Sequence, residues 1–393
     1  MPYDFDTIIN RRGTNSIKWS VNDNELPMWV ADMDFPTCPA IVEAVQAKVD
    51  HGIYGYEVVP PEYAQAIILW WGSRYGVTLE PEWIHFCDGV VPAISSLIRT
   101  FTEPGDGVLI QSPVYDAFYS SISHSDRRIV TSDLPYLPTL DSSMNPFGID
   151  WVDMEAKLSD PSTKILLLCN PHNPTGQLWT PEELTRISAL ARTHHVLVIA
   201  DEIHCDITQP STKYTPFSLV DSDSITVISP SKSFNIPGLQ GAAIVVPDPD
   251  LMTKAKSGLN RDGICQAGSF ATIATIAAYT QGADWLDSMR SYVWANRSHL
   301  ENFIADNLPQ LRVIPSQSTY LAWVDCSQVT DDSLAFTRYL REATGLVLNP
   351  GTIYGANAHT FVRINLACAA VVLEDGLNRL LRAVRGWELA DRW

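Results

Sequence analysis

The sequence has little positive charge, no closely paired cysteines and no long apolar run. Its 393 residues include 27 lysines and arginines but 45 aspartates and glutamates, which gives a net charge of −18. So acidic a chain argues against nucleic acid and against an anionic membrane surface as partners. A small anionic ligand is compatible with it, because a local cluster of hydrogen-bond donors can oppose the overall field.

The seven cysteines are scattered and include no Cys-x-x-Cys pair. An odd number of separated thiols is typical of reduced cysteines in the cytoplasm rather than of a disulfide framework. The N-terminus lacks the basic and apolar segments of a signal peptide, and no apolar run approaches the ~20 residues of a membrane span. We therefore expect a cytoplasmic protein without a membrane segment.

The sequence does contain short apolar runs that alternate with helical patterns from Trp83 onward. Near-continuous apolar strands that alternate with helices are typical of a mostly parallel sheet covered on both faces. The predicted strands are residues 83–87, 108–111, 128–131, 164–169, 196–200, 225–228 and 242–246. The predicted helices are residues 38–51, 61–75, 92–101, 115–124, 151–158 and 181–194, with a loop at 135–148.

A second unit with a different pattern follows this alternation. It consists of a long helix at 284–308, strands near Val313 and at 321–324 and 361–366, and helices at 331–344 and 373–384. We predict an α/β protein whose large domain, residues 46–285, holds a seven-stranded sheet. Residues 286–393 then form a smaller α+β domain, and residues 1–45 form an N-terminal arm and part of that small domain.

Lys232 lies in the segment on which the predicted chemistry depends, Ser-Pro-Ser-Lys-Ser-Phe-Asn at residues 229–235. This segment directly follows a predicted buried strand. The serine hydroxyls could hold a phosphate, and the ε-amine of Lys232 could attack a carbonyl carbon if burial lowers its pKa. A surface lysine in a polar turn is the alternative, and only the other strand ends can decide between the two.

Ligands bind beyond the carboxyl ends of the strands in open parallel sheets, so the residues after each strand are the candidates. Asp-Gly-Val-Val-Pro at 88–92 opens a helix, where the backbone N–H groups of Val90 and Val91 could bind a phosphate. An ordinary turn is the alternative there. Asn-Pro-His-Asn-Pro-Thr-Gly at 170–176 is a rigid loop that either presents the amide of Asn173 to a ligand or has only a structural role.

Asp201 ends another predicted strand, and a buried carboxylate is costly unless it meets a cation. A protonated pyridine nitrogen would be such a cation, whereas a salt bridge or a helix N-cap would explain Asp201 without a ligand. His204 follows three residues later and could donate a hydrogen bond to an oxygen on the same ring. An acid, a lysine, a glycine turn with serines and an amide donor are together the groups that pyridoxal phosphate requires.

The chain resembles the fold-type I pyridoxal-phosphate enzymes of the aspartate-aminotransferase superfamily over essentially its whole length. The residues that carry this resemblance are 88–92, 170–176, 201–204 and 229–238. Within that superfamily it resembles the cystathionine β-lyase (C–S lyase) group of the MalY/PatB type. The residues that carry the narrower resemblance are 11–16, 29–35, 51–56 and 232–235.

The resemblance implies that Lys232 binds pyridoxal phosphate covalently and later removes the α-proton of the substrate. It implies that Asp201 pairs with the ring nitrogen and that Asn173 binds the phenolic oxygen. His204 stands where many relatives carry a tyrosine for the same oxygen, so it either takes that role or merely packs. Tyr115 would stack on the ring face, or it is simply a core aromatic residue.

The phosphate and the substrate are assigned by the same resemblance. Val90, Val91 and Ser229 would bind the phosphate, with Ser231 as a weaker candidate. Tyr56 would reach the phosphate from the neighbouring subunit, which implies a homodimer. Many relatives carry a phosphate-binding Arg or Lys where this chain has Gln240, so neutral donors would bind more of the phosphate here.

Arg363 matches the superfamily's α-carboxylate arginine and would bind the substrate together with Asn173. An arginine between apolar residues of a strand suits a bidentate carboxylate, and a structural salt bridge is the alternative. The implied reaction is α,β-elimination of L-cystathionine to homocysteine, pyruvate and ammonia, with no metal. An aminotransferase and a regulatory protein of the same fold are the competing functions. Contacts of Asp32 and Tyr320 with a ligand stay open at this point.

Overall fold

The computed structural model describes residues 3–137 and 144–390, so part of the predicted loop at 135–148 lies outside the described residues. The β-strands of this part are β1 Leu26–Pro27, β2 Ile84–Cys87, β3 Gly107–Ser112, β4 Arg128–Asp133, β5 Thr163–Cys169, β6 Leu197–Asp201, β7 Ile225–Ile228, β8 Ala242–Val245, β9 Arg312–Val313, β10 Leu321–Asp325, β11 Leu346–Val347, β12 Asn349–Pro350 and β13 Phe361–Asn365. The helices are α1 Pro39–His51, α2 Pro61–Tyr75, α3 Val90–Phe101, α4 Asp116–Ser123, α5 Trp151–Leu158, α6 Pro181–Thr193, α7 Pro249–Arg261, α8 Ala271–Gln281, α9 Ala283–Asn307, α10 Ser333–Thr344 and α11 Ala370–Ala390.

The larger sheet has seven strands in the order β2-β8-β7-β6-β5-β3-β4. Strands β3 to β7 pair in parallel, and β8 is antiparallel to both β7 and β2. The predicted seven-stranded, mostly parallel sheet is therefore confirmed. One face packs against α3, α4 and α7, and the other packs against α5 and α6. Because both faces are covered, the inner strands carry apolar residues at most positions, which makes them predictable from the sequence, whereas the edge strand β4 is largely exposed.

Most predicted elements begin and end within two residues of their observed bounds. Helices α1 and α2 end at Gly52 and Gly76, which adopt the left-handed conformation with φ of 72° and 70°. The last helix is the main exception, since α11 extends well beyond the predicted 373–384 at both ends. Trp387 packs edge-on against Phe336 and Tyr339 of α10, and this tertiary contact favours helix where Gly386 disfavours it.

A second sheet has four antiparallel strands in the order β12-β13-β10-β9. The predicted arm is largely irregular, as expected, but its strand β1 pairs in parallel with β11, a contact between residues more than 300 positions apart in the sequence. The helix α9 joins the two sheet-containing units, and it begins at Ala283, close to the predicted boundary at 285. The exact division at 45 and 285 stays a prediction.

An aromatic cluster fixes the position of the arm. Phe5 makes ring contacts at centroid distances of 5.0 Å with Phe35, 5.8 Å with Trp285 and 5.4 Å with Tyr292. Such pairs each contribute roughly 0.5–1.5 kcal/mol beyond their buried area. They hold residues 28–35 across the carboxyl edge of the larger sheet.

Over residues 3–137 and 144–390, none of the helices combines the length and the hydropathy that a bilayer crossing requires.

Candidate active site

A cavity of about 250 Å³ opens at the carboxyl edge of the larger sheet, where the loops after β2, β5, β6 and β7 meet. This is the position at which ligands bind in open parallel sheets. The residues predicted for the site that line this cavity are Val90, Val91, Tyr115, Asn173, Asp201, His204, Ser229 and Lys232. Ser231 and Gln240 line it as well.

Lys232 follows β7 and projects its amine into the cavity. Its Nζ donates a hydrogen bond of 2.6 Å to the carbonyl oxygen of Ala31, which also accepts a bond of 2.9 Å from the hydroxyl of Tyr320. Burial, aided by the positive charge of Arg363, lowers the pKa of Lys232 to about 8. The interpretation as a surface lysine in a polar turn is therefore wrong, and the amine is readily available in its neutral, nucleophilic form.

The lowered pKa predicts an unusual pH dependence for the reactivity of Lys232. In protein freed of small-molecule ligands, the rate of acetylation of Lys232 by trace acetic anhydride should rise with pH and level off above about pH 8, since the neutral amine is the nucleophile. Free Nα-acetyl-lysine amide, added to the same sample as a reference amine, should continue to rise in reactivity toward the ordinary lysine pKa of about 10.4. Identical profiles for Lys232 and the reference amine would contradict the lowered pKa.

Asp201 is the last residue of β6 and is buried, with 3% of its surface exposed. One carboxylate oxygen accepts a hydrogen bond of 3.1 Å from the backbone N–H of Ile203. Burial raises the pKa of Asp201 to about 7, against the opposing effects of that N–H group and of the charge of Lys232. No ion pair of Asp201 occurs among the described residues, so a salt bridge does not explain the carboxylate, and the cavity next to it suits a cation.

Arg363 lies on β13 with 4% of its surface exposed, and it contacts Asn173 across the two units of the fold. Its Nη1 donates to Oδ1 of Asn173 at 3.1 Å, and its Nη2 donates to the carbonyl oxygen of Trp29 at 3.0 Å. The guanidinium also lies over the ring of Tyr354, 4.8 Å from the centroid. Within the described chain it has no carboxylate partner and its Nε is unpaired, so a structural salt bridge is not its role.

The bond to Arg363 also orients Asn173. Because the amide oxygen of Asn173 accepts that bond, its N–H2 group is left as the donor that a ligand in the cavity would meet. Asn173 is itself buried, with 3% of its surface exposed, in the loop that follows β5. The sequence-based interpretation of this loop as a rigid support for one amide is consistent with that geometry.

His204 is buried beneath the cavity, and its Nδ1 has no partner among the described residues. Burial, together with the charges of Lys232 and Arg363, lowers the pKa of His204 to about 3, so the ring is neutral. It packs edge-on against Tyr320 at a centroid distance of 6.2 Å. Tyr115 is half-buried at the start of α4, and burial raises its pKa to about 12. Both side chains therefore present neutral, hydrogen-bonding groups to the cavity.

The helix α3 begins at Val90, so the backbone N–H groups of its first turn point toward the cavity end at Gly89. These unpaired N–H groups favour an anion there.

Ser229 has a different environment from the one the sequence suggests. Its hydroxyl donates to the carbonyl oxygen of Gly241 at 2.6 Å and accepts the N–H of Ser231 at 3.1 Å. As long as that bond persists, the Ser229 hydroxyl proton is not available to an anion.

The arm closes one side of the cavity through contacts that the sequence did not reveal. Asn235 donates to the carbonyl oxygens of Met33 at 3.0 Å and Phe35 at 2.9 Å, which ties the arm to the loop of Lys232. Asp32 and Asp34 form ion pairs with Arg11 and Lys18 at 2.6 and 2.7 Å, so they are paired structural groups of the arm. The signal available in the sequence was the Lys-Ser-Phe-Asn motif, in which Asn235 had no assigned role.

Tyr56 does not lie in this cavity. Its side chain is fully exposed in the loop between α1 and α2, with exposed Ile53, Tyr54 and Val58 nearby in the chain. The described residues also include no group of three or more His, Cys, Asp or Glu placed to hold a metal ion. The structure thus brings together the other predicted residues but not Tyr56.

The fold and the site together define an α/β protein with a buried lysine amine of lowered pKa, a buried acid and a buried arginine without a carboxylate partner in the described chain, all at the edge of a mostly parallel sheet. Residues 14–380 match the family model described as aminotransferase class I and II, and the chain belongs to this family. This agrees with the resemblance found in the motifs of the sequence.

Two curated relatives match along nearly their full length. Cystathionine beta-lyase PatB of Bacillus subtilis is 38% identical over 97% of this chain and 99% of its own, and protein MalY of Escherichia coli is 35% identical over 98% and 99%. Among solved structures, cystalysin from Treponema denticola, which contains pyridoxal 5'-phosphate, superposes with a TM-score of 0.93 at 30% identity, over 98% of this chain and 100% of its own. A pyridoxal-phosphate-bound C–S lyase from Staphylococcus hominis superposes with a TM-score of 0.89 at 31% identity, over 97% and 99%.

Proposed function

We propose that this protein is a pyridoxal-phosphate-dependent carbon–sulfur β-lyase that acts on L-cystathionine and related S-substituted cysteines. The observation that carries the proposal is the amine of Lys232, whose pKa burial lowers to about 8, in one cavity with the buried Asp201. Arg363, whose Nε is buried and unpaired within the described chain, contacts Asn173 in the same cavity. The name of the Bacillus subtilis relative, cystathionine beta-lyase PatB, and that of the C–S lyase structure from Staphylococcus hominis support the same reaction class.

The polar groups of the cavity fit pyridoxal phosphate. Asp201 is a buried acid without a cation, as a protonated ring nitrogen requires, and His204 Nδ1 is buried without a partner. The first turn of α3 would hold the phosphate through the N–H groups of Val90 and Val91. The N–H2 group of Asn173 would bind the phenolic oxygen, Tyr115 would lie on the ring face, and Ser229 would bind phosphate after its hydroxyl rotates away from Gly241.

Pyridoxal phosphate supplies a carbonyl carbon for an amine and a protonated ring that takes up electrons from the α-carbon of the substrate. Arg363 holds the substrate α-carboxylate through its guanidinium, which fixes the position of the α-carbon. Nζ of Lys232 then removes the α-proton as the general base. The bond between the β-carbon and sulfur breaks with its electron pair on sulfur, so a thiolate leaves, and hydrolysis of the remaining fragment gives pyruvate and ammonia.

Transamination by the same residues is the competing reaction, since it also begins with removal of the α-proton. The two differ in products when L-cystathionine is the only substrate. We expect sustained formation of homocysteine and pyruvate in equal amounts, over many turnovers, with no keto acid added. Conversion limited to one equivalent per active site, without free thiol, would show an aminotransferase and refute the proposal.

Arg363→Lys is expected to raise KM for L-cystathionine about 30-fold or more, with a much smaller change in kcat. Lysine keeps the charge but cannot bind a carboxylate in a bidentate way, and breaking a buried charge-assisted pair costs about 2–5 kcal/mol. Steady-state assays of thiol release provide the measurement. Arg338→Lys, at an exposed position of α10, is the matched control, and an unchanged KM in Arg363→Lys would remove Arg363 from substrate binding.

We also propose that the protein works as a homodimer in which Tyr56 binds the phosphate in the neighbouring site. Its complete exposure and the exposed apolar side chains Ile53, Tyr54, Val58 and Val59 around it support this proposal. Such a cluster is typical of a surface that a protein partner covers. A twofold arrangement would place the loop of each subunit at the other subunit's cavity.

Mixed dimers test this sharing of residues. Tyr56→Ala and Lys232→Ala proteins, each of low activity, are unfolded together in equal amounts and refolded. Equal mixing makes about half of the dimers heterodimers, and in each of these one site has both lesions and the other has none. The mixture should therefore recover about one quarter of wild-type activity. Separately refolded parents serve as the control. Recovery no greater than the mean of the two parents would mean that Tyr56 acts within its own subunit or not at all.

The cytoplasm is the proposed location. All seven cysteines are free thiols, and six of them are buried. Buried separate thiols suit a reducing compartment, where no disulfide is needed for stability.

A further inference from the structure

A second cavity, of about 1020 Å³, lies apart from the candidate active site and shares no lining residue with it. One wall is the face of α9 that carries Trp294, Arg297 and Glu301. The segment after β5, at 176–180, and the segment 311–317 form the opposite side. The volume is sufficient for a small organic molecule.

Arg297 is the unusual residue of this cavity. Only 3% of its surface is exposed, and its Nη2 donates to the carbonyl oxygen of Leu321 at 3.1 Å. Its Nε and Nη1 have no hydrogen-bond partner within the described chain. Glu301, whose side chain is about half exposed, forms an ion pair with Arg297, but at 3.7 Å its carboxylate oxygen is too far from Nη1 for a hydrogen bond. A buried guanidinium with unused donors is costly unless an acceptor binds there.

Trp294 adds a second unused donor on the same face of α9. It is three residues before Arg297, which places the two side chains as neighbours on the helix. Its indole N–H is buried and likewise lacks a partner in the part of the chain that the structure describes. Arginine and tryptophan side chains only donate, so the group that satisfies both must be an acceptor.

The charge of the lining favours an anionic acceptor. Arg297 and Arg312 are its cations and Glu301 is its one acid, so the described lining carries a net positive charge within a chain of net charge −18. Ile304, Leu311 and Val313 supply apolar surface beside these charges. A planar carboxylate matches the fork of an arginine in geometry as well as in charge.

We propose that this cavity binds a small organic carboxylate, whose carboxylate oxygens accept from Arg297 and Trp294 and whose apolar part packs against Ile304 and Leu311. The site is distinct from the one that holds the α-carboxylate of the substrate at Arg363. The cavity also lies where the segment 311–317 meets the loop that carries Asn173. Ser316 and Ser318 donate to the carbonyl oxygen of Gly176, at the end of that loop, at 3.1 and 3.0 Å.

The test uses 4-(trifluoromethyl)benzoate as the probe and follows its binding to the holoenzyme by fluorine NMR. The active site also accepts carboxylates, so all proteins carry Arg363→Gln, which removes that competing site. In this background, Arg297→Gln should weaken binding of the probe at least tenfold. Arg338→Gln, which removes an equal charge from the exposed face of α10, should leave the dissociation constant unchanged.

Glu301→Gln is expected to tighten binding of the probe, an effect that misfolding of the variant would not produce. Removing the carboxylate next to Arg297 removes repulsion of the probe, so we expect binding at least threefold tighter. Because Glu301 is about half exposed, this substitution should not disturb the fold. The proposal is overturned if the probe does not bind in the Arg363→Gln background, or if neither Arg297→Gln nor Glu301→Gln changes its dissociation constant.

Discussion

Lys232→Ala is expected to lower the rate of thiol release from L-cystathionine by about 10³-fold or more, since a positioned general base alone contributes roughly 10²–10⁴-fold. In the proposed function the amine of Lys232 also forms the covalent attachment of the cofactor, so the variant would lose two functions at once. The carbonyl oxygen of Ala31 loses the bond from Lys232 but keeps the bond from the hydroxyl of Tyr320, so the fold should persist. Steady-state assays of homocysteine and pyruvate measure the loss.

The control for this experiment is Lys213→Ala, which removes an exposed lysine from the loop between β6 and β7. It should retain wild-type turnover. Thermal unfolding of both variants separates a chemical defect from a folding defect. Turnover by Lys232→Ala within tenfold of wild type would be fatal to the assignment of Lys232 as the base.

Asp201→Asn is expected to lower kcat by about 10²–10³-fold, the range seen when one preorganised electrostatic group is removed from an active site. Asparagine has a similar shape but cannot carry the negative charge that stabilises a protonated ring nitrogen. The variant should still hold the cofactor, because Lys232 and the first turn of α3 are intact. We therefore expect normal cofactor content by absorbance together with a large fall in kcat.

Glu202→Gln is the matched control for Asp201→Asn. Glu202 is adjacent in sequence and equally buried, but it accepts bonds from Asn170 and Phe217 and does not line the cavity. Its substitution should affect stability more than kcat. If the two variants lowered kcat equally, the effect of Asp201 would be a general consequence of losing a buried acid rather than of its place beside the ring.

The parts of the fold and site that the sequence predicts well are those fixed by local pattern. The inner strands of the larger sheet are buried on both faces, so most are short apolar runs; Asp201 ends one of them and Lys232 lies four residues after another. Glycines at 52 and 76 mark helix ends because a left-handed residue is needed there. Family resemblance then supplied roles that these patterns alone left open.

The parts that could not be predicted depend on residues distant in sequence. The carbonyl oxygen of Ala31 accepts from both Lys232 and Tyr320, and Tyr354 lies beneath Arg363, yet no local spacing connects any of these residues. The residue type of Ser229 suggests that its hydroxyl binds a phosphate. Its bond to the carbonyl oxygen of Gly241 depends on β8, which runs antiparallel to β7 and so brings Gly241 next to Ser229. Tyr56 lies fully exposed in the loop between α1 and α2 and outside the cavity, so the phosphate contact that the resemblance implies for it stays a prediction.

The central claim is that the amine of Lys232 and a pyridoxal phosphate aldehyde meet in the first cavity. Purified protein loaded with pyridoxal phosphate is reduced with borohydride, digested and mapped by mass spectrometry. One pyridoxyl phosphate group per chain, located on Lys232 and absent from the other lysines, is the predicted result. A label spread over exposed lysines, or no label after loading, would contradict the account.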